Sequence, residues 1–287
     1  MSNYQIITDS ACDLPKAMLE ELNVITISLT VNFRGEERRD SVENADVKEL
    51  YDAMRGGEVA TTSAVNPEGW GNVIEPALAE GNDALVLAFS SGLSTTYQSA
   101  VIAANELQEK YPERKIRVVD TCAAALGQGL LVYHVCKKRD AGLSLDDLAA
   151  WTDENKNRLA HWFTVDDLVY LKRGGRVSAA TAVLGAMLNI KPVLHVDNDG
   201  HLISREKVRG RKAAIASLAA KPGQLGGENN EVMFICQADC LDDANTLAAM
   251  VKEKYGVKEV FIGNLGAVIG SHAGPGTLAL FFIGKEK

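Results

Sequence analysis

The stretch ALVLAFSSGLSTTYQSA, Ala84 to Ala100, decides the fold. Its opening ALVLAFS is an apolar run of strand length, and such a run bounded by turn residues reads as a buried strand. Ser90 to Thr95, Leu93 apart, are small and mostly polar, the composition of a tight turn. From Thr96 to Lys110 the apolar residues fall on one helical face. The unit is therefore strand, short loop, helix.

The same unit recurs on either side. YQIITD is a short strand, and Asp13 with Pro15 supplies a cap and a first-turn proline for KAMLEEL. ITISLTVNF alternates as one strand, and residues 47–54 and 67–79 have helical spacing, the first ended by Arg55-Gly56-Gly57. KIRVVD is a strand followed by a long helix over 123–140. Repeated strand–helix units predict a parallel sheet with helices on both faces.

Beyond Ser144, which is placed to cap a helix over 144–158, the rhythm changes. HWFTVDDLVYL begins as a strand and then turns, and residues 179–188 have helical spacing. PVLHVD and HLISREKV flank the hairpin signal Asn198-Asp199-Gly200. EVMFICQA, EVFIGNL and TLALFFIG are further strands, with a helix over 242–255 and a surface loop at KPGQLGGENN. These patterns predict an α/β protein of two domains: residues 1–155 around a parallel sheet flanked by helices, and residues 156–287 as a mixed α/β unit.

Composition narrows the function. A chain of 287 residues can bury a sizeable core, and its net charge of −8 argues against a general nucleic-acid or membrane-surface binder. No stretch has the design of a signal peptide, and no apolar run approaches the ~18 residues of a membrane span. Five scattered cysteines (Cys12, Cys122, Cys136, Cys236 and Cys240) form no CxxC pair and no zinc-spaced Cys/His cluster. The expectation is a cytoplasmic protein with reduced thiols and no metal. Neither a P-loop nor a dinucleotide fingerprint occurs, so no nucleotide cofactor is expected.

Ligands of a parallel sheet bind at the carboxyl ends of its strands. Four polar segments are expected there: Thr8-Asp9-Ser10, Thr61-Thr62-Ser63, Ser90 to Thr96, and Asp120-Thr121. Each has the residues of a helix cap, but together they offer neutral donors and helix N-termini to one anionic head group. GSHAGPG, Gly270 to Gly276, sets His272 among glycines in an expected turn, where backbone can approach a ligand closely. LKRGGRVS (171–178) and EKVRGRKAA (206–214) are basic clusters in an acidic chain, suited to a solvated face or to a patch that docks a partner or binds phosphate. Gly92-Leu93-Ser94-Thr95-Thr96 falls one glycine short of a nucleophile elbow. A serine hydrolase of acyl esters, using Ser94, His272 and an aspartate such as Asp166 or Asp239, is therefore an alternative, as is a carrier of another hydrophobic ligand.

Taken in order, ITDSACDLP, TTSAVNP, SSGLSTTYQSA, VVDT with GQG, FTVDDLVYLKRGGRVS, IKPVLHVDNDGHL with EKVRGRKAA, and IGNLGAVIGSHAGPGTLALFF resemble the DegV family of bacterial proteins, from residue 6 to 282. The resemblance implies a lipid-binding protein, not an enzyme, that holds a long-chain fatty acid between its two domains. It implies the fatty-acid-binding subunit of a two-part bacterial fatty acid kinase, with three further partners or contacts: an ATP-using kinase subunit, the acyl-phosphate-using acyltransferases of phospholipid synthesis, and a transient membrane contact. No cofactor beyond the fatty acid is implied.

Carried over by motif, the carboxylate is held by Thr62 (flanked by Thr61 and Ser63), Ser94 and His272, with Arg173 approaching it. Ser63, Ser91, Ser10 and Gly274 stand as supporting residues. Val183, Leu184, Met187, Leu188 and Ile190 are expected to line the tail, with help from TLALFF. Arg176, Lys207, Arg209 and Arg211 form the candidate patch for partner or phosphate. Two departures stand out: Thr95 replaces a usual glycine beside Ser94, and Ala64-Val65 replaces part of a common TSQP.

Overall fold

The computed structural model describes residues 4–178 and 189–287, so Val183, Leu184, Met187 and Leu188 lie outside the described residues. Strands β1 (Tyr4–Asp9), β2 (Val24–Ile27), β6 (Asp83–Ala88) and β7 (Ile116–Asp120) form a parallel sheet in the order β2-β1-β6-β7. Ala84 to Ala88 are all but sealed from solvent, as a central strand covered on both faces must be. Helices α1 (Lys16–Glu21), α3 (Pro67–Ala79), α4 (Thr96–Lys110), α5 (Ala125–Asp140) and α6 (Leu145–Asn155) accompany this sheet. Ser144 caps α6, its hydroxyl accepting the Asp147 amide at 3.2 Å.

The second half builds a six-stranded mixed sheet in the order β10-β9-β8-β13-β11-β12. Its strands are β8 (Leu159–Thr164), β9 (Ile190–Val196), β10 (Leu202–Arg209), β11 (Val232–Gln237), β12 (Glu259–Asn264) and β13 (Leu278–Ile283). Only β11 and β12 pair in parallel. Helices α8 (Arg211–Gln224) and α9 (Leu241–Tyr255) pack near the strands' outer face, and a short helix α10 (Ala267–Ala273) precedes β13. The architecture is thus the expected α/β arrangement of a parallel and a mixed sheet.

Several local expectations are corrected. ITISLTVNF is not one strand: β2 ends at Ile27, and Thr30–Phe33 (β3) joins a separate antiparallel sheet, β4-β3-β5. That small sheet also takes Glu36–Arg39 (β4) and Thr61–Ser63 (β5), so the TTS segment is a strand rather than a loop after a parallel strand. β4 is exposed along its whole length and shows no apolar alternation, so nothing in its pattern marks a strand. Asp13 does not cap α1; it adopts a left-handed φ of 53° and buries its carboxyl. Lys221 to Gln224, expected in a loop, complete α8, whose Lys221 and Pro222 are buried. His272 lies in the last turn of α10, not in a turn after a strand.

Candidate functional site

A cavity of about 460 Å³ lies between the carboxyl ends of the parallel strands and one face of the mixed sheet. The loops after β6 and β7 form one wall, contributing Ser91, Leu93, Ser94, Ala124 and Ala125. The opposite wall is the sheet face. His161 and Phe163 of β8, Cys236 of β11 and Ala279 and Phe281 of β13 all point the same way, as alternation along neighbouring strands requires. The volume falls within the ~300–1,000 Å³ of small-molecule sites. Cys122 and Ala125 hold left-handed φ values of 47° and 54°, and each such residue costs about 1–2 kcal/mol. The connection from β7 to α5 is therefore strained where it meets the cavity.

The polar end faces outward. Thr62, Ser63, Ala64, Ser91, Ser94, Thr95, Arg176 and His272 line it; Ser63, Ala64 and Thr95 are exposed. Thr62 Oγ1 and His272 Nε2 lie 2.7 Å apart. Burial, helped by the Arg176 charge, pushes the His272 imidazole down to about 4, so it is neutral near pH 7. With its hydrogen on Nε2, the imidazole donates to Thr62 and leaves the threonine hydroxyl hydrogen free for a carboxylate. His272 Nδ1 is buried without a partner among the described residues. A Cβ on Gly174 would sit 2.2 Å from it.

The helix carrying His272 is anchored by the first half of the chain. Asp40 Oδ1 accepts the Val268 amide at 2.8 Å, and its Oδ2 accepts the Ser10 hydroxyl at 2.8 Å. Tyr51, on helix α2 (Asn44–Arg55), donates to Leu265 O at 2.8 Å. A Cβ on Gly270 would lie 2.2 Å from that phenol oxygen, so glycine lets α10 seat on Tyr51. Burial raises the Asp40 carboxyl to about 6, and it raises Asp13 above the ordinary carboxylate range, with the Asp40 charge adding to the effect.

Ser94 serves its own turn as well. Its hydroxyl lies 2.8 Å from Thr96 Oγ1 and accepts the Thr96 amide at 3.2 Å, at the start of α4. The backbone at Thr95 is right-handed (φ −78°, ψ 2°), so a β-branched residue fits where a glycine is usual. Among the described residues no triad is assembled. His272 bonds Thr62 rather than Ser94, Asp166 engages Lys191 at 2.8 Å, and Asp239 pairs with Arg55 and Lys48. The hydrolase alternative is corrected on that geometry.

Other expected residues fall elsewhere. Arg173 is exposed, with its guanidinium 5.8 Å from the Tyr170 ring centre, and does not line the cavity; Arg176 does, with Nε donating to Leu93 O at 3.1 Å. Ser10 is spent on Asp40 and on accepting the Leu29 amide at 3.0 Å. Gly274 ends α10 at φ +83°, where a Cβ would strike the Tyr170 ring. Ile190 pairs with Arg209 at the start of β9, away from the cavity lining. Lys207 and Arg209 are exposed on edge strand β10, whereas Arg211 is engaged with Asp243 at 2.7 Å. Thr8, Asp9, Asp120 and Thr121 are used within the fold: Asp9 accepts the Phe89 amide at 2.7 Å, and Asp120 the Cys122 amide at 3.0 Å. Arg176, expected in the patch for partner or phosphate, stands in the cavity wall instead, and the residues that sequence reading missed are His161, Phe163 and Cys236. Alternation within HWF and FIC was the available signal for these three.

All five cysteines are free thiols. Asp197, Asp199 and His201 bring ligand atoms within 4.8 Å of one another, yet Asp197 Oδ1 already accepts the Asp199 and His201 amides of its own turn. Among the described residues no helix is long and apolar enough to cross a membrane.

Fold and site together define a two-domain α/β protein with an apolar cavity whose polar end opens outward. The chain belongs to the DegV family: the family model described as "Uncharacterised protein, DegV family COG1307" matches residues 3–285. It is 44% identical to a DegV domain-containing protein of Clostridium perfringens, over 100% of this chain and 99% of that one. Its structure is similar to that of a DegV family protein from Thermus thermophilus described as fatty acid binding, with TM-score 0.88 and 34% identity, covering 98% and 99% of the two chains. It shares its fold with the Fatty Acid Kinase (Fak) B3 protein of Streptococcus pneumoniae, which was solved with linoleic acid, at TM-score 0.85, 20% identity and 99% coverage of each chain.

Proposed function

We propose that this protein binds one long-chain fatty acid and presents its carboxylate to a separate ATP-dependent kinase subunit. The observation that carries the reading is the cavity itself: an apolar sheet face ending in a hydroxyl–imidazole pair at the surface. The Thermus thermophilus relative supports the ligand class. Thr62 and Ser94 donate to the carboxylate, neutral His272 orients the Thr62 hydroxyl from behind, Arg176 supplies positive charge, and the tail runs along Phe163, Ala279 and Phe281. A sixteen-carbon tail buried at ~0.8 kcal/mol per methylene gains roughly 12 kcal/mol gross. That gain stands against a cost of association of about 4–15 kcal/mol, so only a largely dry cavity yields net binding.

The kinase step rests on the sequence resemblance, with the shared Fak B3 fold beside it. In this reading residues 1–155 and 156–287 are the two domains, and the protein works in the cytoplasm. The exposed Arg173, Lys207 and Arg209 contact the kinase subunit or the acyl phosphate, which passes to acyltransferases of phospholipid synthesis at a transient membrane contact.

Native mass spectrometry of the purified protein, followed by solvent extraction, tests the ligand. A one-to-one adduct with the mass of a fatty acid is expected, and Ser94→Ala should retain less of it. A protein that is empty and takes up no added fatty acid overturns the reading.

A further inference from the structure

His161 is out of place in a wall built to hold a hydrocarbon. It lies on the cavity face of β8, is 2% exposed, and its neighbours on that face are Phe163, Ala279 and Phe281. The ring is fixed on two sides. Its centre is 4.8 Å from that of Phe281 in an edge-on contact, and a Cβ on Gly127 would come within 1.8 Å of Nε2, so only a Cα hydrogen fits there. Nε2 has no hydrogen-bond partner among the described residues. A bare Nε2 against a Cα hydrogen is a weak favourable contact, whereas an N–H there would be unsatisfied. The ring hydrogen therefore belongs on Nδ1, leaving an unspent donor in a wall of phenyl and methyl groups. An all-hydrocarbon tail would bury that donor without a partner, which is costly.

The position along the cavity follows from sheet register. Thr277 marks the head-group end, since its hydroxyl donates to Ala273 O, the residue after His272, at 3.0 Å. His161 pairs with Phe281, four residues further along the same chain. At about 3.4 Å per residue, that places His161 about 14 Å from the head-group end, roughly ten carbons along an extended acyl chain.

We propose that His161 forms a second polar subsite, and that the cavity accepts an acyl chain carrying a hydroxyl or keto oxygen near its middle. This rests on the fatty acid reading of the cavity. The head group would be held by Thr62, Ser94 and His272, and the mid-chain oxygen would accept from the His161 ring.

The test is competitive binding of stearic acid and 10-hydroxystearic acid to the full chain, repeated on His161→Phe and His161→Gln. The wild-type protein should bind the hydroxy acid at least as tightly as stearic acid. His161→Phe should shift the ratio about tenfold toward stearic acid, and His161→Gln, which keeps a donor, should restore most of it. If wild-type protein binds stearic acid more tightly than the hydroxy acid, or if His161→Phe leaves the ratio unchanged, the subsite is overturned while the fatty acid reading stands. If neither acid binds the wild-type protein, the fatty acid reading has failed and the subsite with it. The wild-type comparison decides the matter even if a variant fails to fold.

Discussion

Gly174→Ala should weaken fatty acid binding without touching the ligand. Gly174 follows helix α7 (Val169–Arg173) with φ −72° and ψ −8°, a right-handed conformation that alanine adopts freely. The new Cβ would stand 2.2 Å from His272 Nδ1. An ordinary contact needs about 3.5 Å, so the imidazole must retreat by more than about 1 Å. Its 2.7 Å bond to Thr62 does not survive such a shift. Thr62 then loses the partner that aims its hydroxyl at the carboxylate, and a hydrogen bond to such a charged group is worth about 1.5–3 kcal/mol, so affinity for a fatty acid should fall about 10- to 150-fold. Displacement of a fluorescent fatty acid measures the loss. The control is the same change in a His272→Ala background, where it should cost almost nothing further, because the two residues act through one contact. Wild-type affinity in Gly174→Ala, or an equal loss in both backgrounds, would refute the reasoning.

Three further expectations follow from single contacts. Ala279→Leu puts a larger side chain on the cavity face and should shift preference toward acids a few carbons shorter, each lost buried methylene costing ~0.8 kcal/mol; a chain-length binding series reads this, and an unshifted optimum counts against the tail path. His134, on α5 away from the cavity lining, is held neutral by burial, with the Lys138 charge assisting, and its pKa falls to about 4 from 6.5. Unfolded protein takes up this proton first as pH falls, so His134 stabilises the fold above about pH 6.5 and that contribution is lost toward pH 4; His134→Phe should gain about 2 kcal/mol on wild type between pH 8 and pH 5 in urea titrations, and a constant difference would contradict it. Gly200, at φ +80°, lets the β9–β10 hairpin meet the loop after β6, where Ser90 donates to Gly200 O at 3.0 Å; a Cβ would lie 2.0 Å from Ser90 Oγ. Gly200→Ala should therefore destabilise the protein by about 1–3 kcal/mol, with Ser90→Ala recovering part of it in thermal melts, and an unaltered melting curve would remove this contact from the account.

The sequence by itself determined the strand–helix rhythm of the first half, the hairpin at Asn198-Asp199-Gly200 and the family, because these depend on residues close in the chain or on motifs in a set order. ALVLAFS has the length and composition of a buried strand, and the polar turn after it was expected at a sheet's carboxyl end. The bend after Ile27 was invisible because ITISLTVNF alternates without interruption, and only pairing partners assign its halves to different sheets. Helix α8 has no counterpart among the sequence expectations, which place Lys221 to Gln224 in a loop because Pro222-Gly223 has the composition of a turn, whereas the structure buries Pro222 in a final helical turn.

Only the tertiary structure decided the cavity. Thr62 and His272 are 210 positions apart and meet because Tyr51 and Asp40 seat α10 against the first half of the chain. Arg173 and Arg176 are equally basic in sequence, and the turn at Gly174-Gly175 alone sends one outward and the other into the wall. His161 and Phe281 become neighbours through strand register, which follows from how the sheet face packs against α5 rather than from any local pattern. Periodicity reports which face of an element is apolar, but what that face meets depends on contacts between residues distant in the chain.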